Sequence, residues 1–123
     1  DLLFMGVDII HENIGMNLKI RGKEAYYPMI SAGINWYEAH HVCELIPNQE
    51  NSITLLSRTM TQGQEVEHIL RFKDMPKRPN RATRLRLTVY FVSAKRCVIE
   101  VEDLGFGELY RSSGKKWKRE LVF

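Results

Sequence analysis

The stretch "RLRLTVYFV", residues 84–92, restricts the fold of this chain more than any other. Leu85, Leu87, Val89 and Phe91 alternate with Arg84, Arg86, Thr88 and Tyr90. Successive side chains of a β-strand point to opposite faces, so this order gives one apolar and one polar face. A helix would scatter the same residues around its axis. The same period recurs in "IGMNLKI", where Ile14, Met16, Leu18 and Ile20 alternate with Gly15, Asn17 and Lys19.

The segments between these strands read as turns and partner strands. "RGKE" (Arg21 to Glu24) is a turn in which Gly22 can take positive φ, and "AYYPMI" returns from it. Pro28 has no amide hydrogen, which places that return strand at a sheet edge or a bulge. His40 to Ile46 is strand-like. "SITLLS" and "VEHILRF" flank the glycine-containing turn "TQGQE" and read as a hairpin, with Val66, His68, Leu70 and Phe72 on one face. "SAKR" joins residues 84–92 to "CVIEVED", and the tail "WKRELVF" is a last strand or the start of a helix. No stretch of ten or more residues shows a period of 3.6. About eight short strands, with turns every ~8–12 residues, give an all-β chain, an antiparallel sandwich or barrel. A length of 123 residues with 44% apolar residues suffices for one core.

Charge and composition narrow the function classes. The net charge is +3, but 15 acidic residues balance it, so charge alone does not indicate a nucleic-acid partner. No apolar run is long enough to span a membrane as a helix. The opening "DLLFMGVDII" lacks the basic start and cleavage site of a signal peptide. It begins with Asp1 rather than Met, as expected of a piece of a longer protein. Cys43 and Cys97 form no disulfide framework, so a reducing, cytoplasmic setting is expected.

Candidate chemistry concentrates in "WYEAHHVCEL", residues 36–45. Adjacent His40 and His41 on a strand point to opposite faces and cannot easily share a metal. His41 and Cys43 share a face, but His11, His68 and Cys97 supply no paired zinc-ligand spacing, so no metal is expected. A Cys43–His41 thiol–imidazole pair lacks an orienting group, and no GxSxG is present. "LGFGEL" lacks the third glycine and the Lys-Ser/Thr ending of a phosphate loop, so Gly105 and Gly107 are expected to permit a bulge or bend. The acids of "IEVED" read as a solvated face. Lys77, Arg78, Arg81, Arg84 and Arg86, with Tyr90, could bind single-stranded nucleic acid by charge and stacking. The competing reading is a solvated loop, Lys73 to Thr83, leading into a sheet face neutralised by Glu65, Glu67, Glu100 and Glu102.

The order of segments resembles a known family. "VDIIHENIGMNL" resembles the opening of the substrate-binding β-sandwich of DnaK-type heat-shock chaperones, with Asp8 and the Ile14–Gly15 pair in the family's aspartate and Leu-Gly positions. "DLLFM" before it looks like the interdomain linker. "NQENSITLLS" looks like the family's Asn-Gln and Val-Thr-Ile strand. "FKDMPKRPNRATRLRLTVYFVSAKRCVIEVED" is similar to its Gly-Ile-Pro segment, the next strand and the return strand, and "SSGK" (Ser112 to Lys115) matches a Ser-Gly-Lys turn. The pieces are co-linear over nearly the whole chain and sit closest to a divergent bacterial branch of chaperone-like proteins. The chain departs from the family at Ile10–His11, Arg21–Gly22 and Asn35–Trp36–Tyr37. "GFGEL" is an insertion, and the helical lid has no counterpart.

The resemblance implies a linker-like segment at residues 1–8 and a β-sandwich over residues 9–123. It implies a non-catalytic domain without cofactor or metal, part of a larger chaperone-like protein in which an ATPase domain can precede it. Its partner would be an extended apolar peptide or unfolded segment. Met16 and Leu18 would line the channel, Ile46 would stand in the arch-forming loop, and Ile53, Leu55 and Leu85 would form the pocket floor. Lys19 falls near an apolar arch position, which would narrow the channel or favour acidic peptides. In this register "AHHVCEL" is the strand leading into the groove. Two alternatives are a structural module with a closed groove that assembles through an exposed strand edge, and a nucleic-acid-binding β-domain.

Overall fold

The computed structural model describes residues 8–47, 51–61, 63–79 and 81–123. The expected strands all form. In chain order they are β1 (Glu12–Ile20), β2 (Lys23–Ile30), β3 (His40–Leu45), β4 (Ser52–Thr59), β5 (Glu65–Arg71), β6 (Arg84–Ser93), β7 (Arg96–Phe106), the two-residue β8 (Tyr110–Arg111) and β9 (Lys116–Val122). A 3-10 turn, Trp36–Glu38, leads into β3. The tail that could have begun a helix is β9.

Two antiparallel sheets result. One has the order β2-β1-β4-β5; the other has β3-β6-β7, with β8 and β9 both paired to β7. The apolar phases read from the sequence face each other between the sheets. Ile14, Leu55, Leu85, Leu87, Val89 and Ile99 are withdrawn from solvent there. Burying a side chain of this size contributes roughly 1.5–3 kcal/mol.

Pro28 meets both expectations. β2 is an edge strand, and the register slips opposite it: Ile14 faces Ile30 while Gly15 faces Pro28. Across that slip the Tyr26 ring covers Gly15, where any Cβ would overlap it. Gly105 plays the expected bulge role. Arg84 faces Gly105 but Leu85 faces Asp103, and Gly105 has φ 69° with the Tyr110 carbonyl against the place of its missing Cβ.

The two flanks of the sandwich close differently. On the β2–β3 flank, the Tyr27 hydroxyl and His41 Nε2 are hydrogen-bonded at 2.7 Å. On the β5–β9 flank, Arg119 Nη2 donates to the Arg71 carbonyl at 2.9 Å and Trp117 Nε1 to the Lys73 carbonyl at 3.0 Å. The Phe123 ring lies against His68 and Phe91.

Two expectations are overturned. Lys73 to Thr83 is not simply a solvated loop: Ala82 and Thr83 are buried, and the Arg78 side chain is only 6% exposed. Nor are all the "IEVED" acids on a solvated face. Glu100 and Glu102 are on it, but Asp103 takes the inward phase and is fully buried against Arg78. The pair is stable there because Asp103 also accepts the Gly105 and Ser113 amides, at 3.0 and 3.1 Å. Arg78 also reaches the Thr83 hydroxyl and the Arg111 carbonyl. A buried ion pair needs such additional bonds to offset desolvation.

Candidate functional site

The second half of β1, the segment after β3 and the start of β4 converge at one end of the sandwich. A cavity of about 160 Å³ opens between them, lined by Met16, Leu18, Leu45, Ile46, Pro47 and Ile53, with Asn17, Ser52 and Thr54 at its polar margin. Met16 and Ile53 are almost wholly buried, while Leu18 and Ile46 are partly exposed. The cavity is smaller than the ~300–1,000 Å³ usual for small-molecule sites, and suits one side chain of a longer ligand.

Four of the six residues assigned to the channel, Met16, Leu18, Ile46 and Ile53, share this cavity. Leu55 and Leu85 do not line it. Both are core residues at no more than 1% exposure: Leu55 follows Ile53 on the inward face of β4, and Leu85 lies opposite Leu45 across the β3–β6 pairing. They fill the core between the sheets instead of forming the pocket floor that the resemblance implies. Leu45 and Pro47 were not singled out from the sequence. The inward phase of β3, through His41, Cys43 and Leu45, points to the first of these.

A shallower hollow of about 390 Å³ continues from the cavity, shares Leu18, Leu45 and Ile46, and adds Lys19, Glu44, Arg81 and Arg84. The Glu44 carboxylate is 3.6 Å from Arg84 and 3.6 Å from Arg86. A separate hollow of about 410 Å³ lies on the outer face of the first sheet beside Tyr26, lined by none of the six residues.

The histidine–cysteine segment is a strand, as the register implied. His40 points outward beside Tyr90, and His41 turns inward to Tyr27. Cys43 is half-buried; burial pushes its thiol up, with a partly opposing contribution from Tyr27. A thiol held protonated in this way is a poor nucleophile. Among the described residues, no three His, Cys, Asp or Glu side chains are grouped to hold a metal ion. The described residues also contain no helix long and apolar enough to cross a membrane.

The arginine face of the second sheet is laced with acids. Glu44, Arg86 and Glu102 stand in one cross-strand row, with Arg86 Nη1 3.1 Å from Glu102. Lys116 continues that row on β9, and Lys118 faces Glu100 in the next. Glu65 instead pairs with Arg58, on the other sheet.

The family model of the domain of unknown function DUF8552 matches residues 9–123, and the chain belongs to that family. No curated protein and no solved structure matches the chain. Residues 1–7, most of the segment 1–8 expected to be a linker, and the "NQE" of residues 48–50 lie outside the described residues.

Proposed function

We propose that this DUF8552 domain is a non-catalytic binding module that holds extended apolar segments of other proteins at the β1–β4 end of the sandwich, within a larger chaperone-like protein. One observation carries the reading. Four residues implied by the chaperone resemblance, drawn from three separate segments, line a single cavity of side-chain size. Asn17 and Thr54 at the polar margin can meet the backbone of an extended ligand, which gives sequence tolerance. One buried Leu-sized side chain is worth roughly 1.5–3 kcal/mol before ordering costs, so micromolar affinity for a short peptide is expected.

The test is fluorescence polarisation of a labelled, Leu-rich heptapeptide titrated with the domain at low and high salt. Saturable binding that survives high salt, and that Ile46→Asp weakens at least tenfold, supports the groove. Ile46 is suited to this because it is partly exposed, whereas Ile53 and Leu85 belong to the core. Absence of binding across a peptide panel sinks the reading.

The small cavity and the outer edges of β2 and β3, which pair with no further strand among the described residues, favour assembly through a strand edge as the second reading. Sedimentation velocity separates the two, since edge pairing gives a concentration-dependent dimer without peptide. The acid-laced arginine face leaves a nucleic-acid reading with little support.

A further inference from the structure

We infer that the groove prefers extended segments whose apolar anchor is flanked by acidic side chains; the inference rests on the reading of the groove as a peptide-holding slot. The hollow that continues the cavity has an apolar floor of Leu18, Leu45 and Ile46 and a charged rim of Lys19, Arg81, Arg84 and Glu44. That rim holds three cations and one carboxylate.

The single carboxylate is already shared. Glu44 stands 3.6 Å from both Arg84 and Arg86, so it compensates neither fully. Among the described residues, Lys19 and Arg81 make no ion pair, although Glu24 faces Lys19 across the β1–β2 ladder. Both are exposed. Elsewhere on this sheet Arg86 is matched by Glu102 and Arg96 by Glu120, while Arg119 donates to the Lys118 and Arg71 carbonyls. A local excess of positive charge therefore stands at the mouth of the apolar slot, where a ligand's flanking residues would lie.

An exposed charge pair contributes a factor of about two to five in affinity. Two independent pairs would multiply to about four- to twenty-five-fold. Because Glu24 already faces Lys19, about a three- to tenfold preference is expected at low salt. That preference shrinks as the screening length falls from ~10 Å at 0.1 M to ~3 Å at 1 M salt.

The experiment compares three labelled heptapeptides with the same central leucine and neutral, glutamate or lysine flanks. Each is titrated by fluorescence polarisation against the domain and against Lys19→Ala/Arg81→Ala. The glutamate-flanked peptide is expected to bind about three- to tenfold tighter than the neutral one at low salt, and the lysine-flanked one more weakly. High salt and the double variant should each erase the difference between the glutamate- and lysine-flanked peptides. The charge reversal Lys19→Glu/Arg81→Glu is expected to transfer the preference to lysine flanks. If all three peptides bind equally, the acidic preference is wrong and the groove stands. If none binds, the groove reading fails and takes this inference with it.

Discussion

The Arg78 guanidinium donates to both carboxylate oxygens of Asp103, at 2.8 and 2.7 Å, and the two side chains are 6% and 0% exposed. The pair fastens the segment between β5 and β6 to the bulged end of β7. The Ser112 hydroxyl adds the β8–β9 turn by donating to the Asp103 carbonyl at 2.6 Å.

Removing one partner leaves the other charge buried alone. Arg78→Ala and Asp103→Ala are each expected to destabilise the fold by ~3–5 kcal/mol, read as a lower urea midpoint. The double replacement Arg78→Met/Asp103→Leu should recover much of that loss, because neither charge then remains unpaired. A double variant as unstable as the sum of the single ones would mean that the backbone bonds to Asp103, not the ion pair, hold the site.

Two groups contribute to the acid limb of stability, and both act in the same direction. Burial alone would raise the Asp103 carboxyl, but bonds from Arg78, Ser113 and the Gly105 amide hold it well below the usual carboxylate range. Below about pH 4 the unfolded chain takes up a proton that the folded chain refuses, so stability falls as pH falls. His68 is lowered by burial, with its Nε2 2.7 Å from the Ser57 hydroxyl. It stays neutral in the fold below the ~6.5 at which an unfolded histidine protonates, so its contribution is complete above that pH and declines beneath it. Urea midpoints taken from pH 8 to pH 3 should fall in two stages. His68→Asn should flatten the upper stage and Asp103→Asn the lower.

The two cysteines should differ in reactivity. Cys97 is fully buried and its thiol is pushed up to about 12, whereas Cys43 is half-buried and raised less. A thiol-specific disulfide reagent at pH 8 is expected to label Cys43 slowly and Cys97 only once urea unfolds the chain. Fast labelling of both in the native state would show that the core opens readily.

The sandwich was legible in the sequence because one face of each strand is buried, and burial writes itself as period two. The alternation of residues 84–92 became the inner face of β6 without exception, and Pro28 and Gly105 marked their irregularities through backbone chemistry alone. The cavity was legible only through order, since Met16, Leu18, Ile46 and Ile53 come together across three separate segments. Leu55 and Leu85 show the limit: an apolar inward position looks the same whether it lines a cavity or fills the core. Arg78 and Asp103 escaped for another reason. Local pattern assigns charged residues to solvent, and only a partner 25 positions away reverses that. Glu12 behaves similarly. It continues the inward phase of β1 and is buried, with Oε1 unpartnered among the described residues.

The closure of the β5–β9 flank has a consequence for biosynthesis. Arg119 and Trp117 seal the Arg71 and Lys73 carbonyls, and Phe123 covers Phe91 and His68. Chains emerge from the ribosome at ~5–20 residues per second. A nascent chain with the first sheet complete still presents the open margin of β5, and the side chains that cover it are translated some fifty codons later. Over that interval of several seconds the hairpin depends on whatever else is available to shield it.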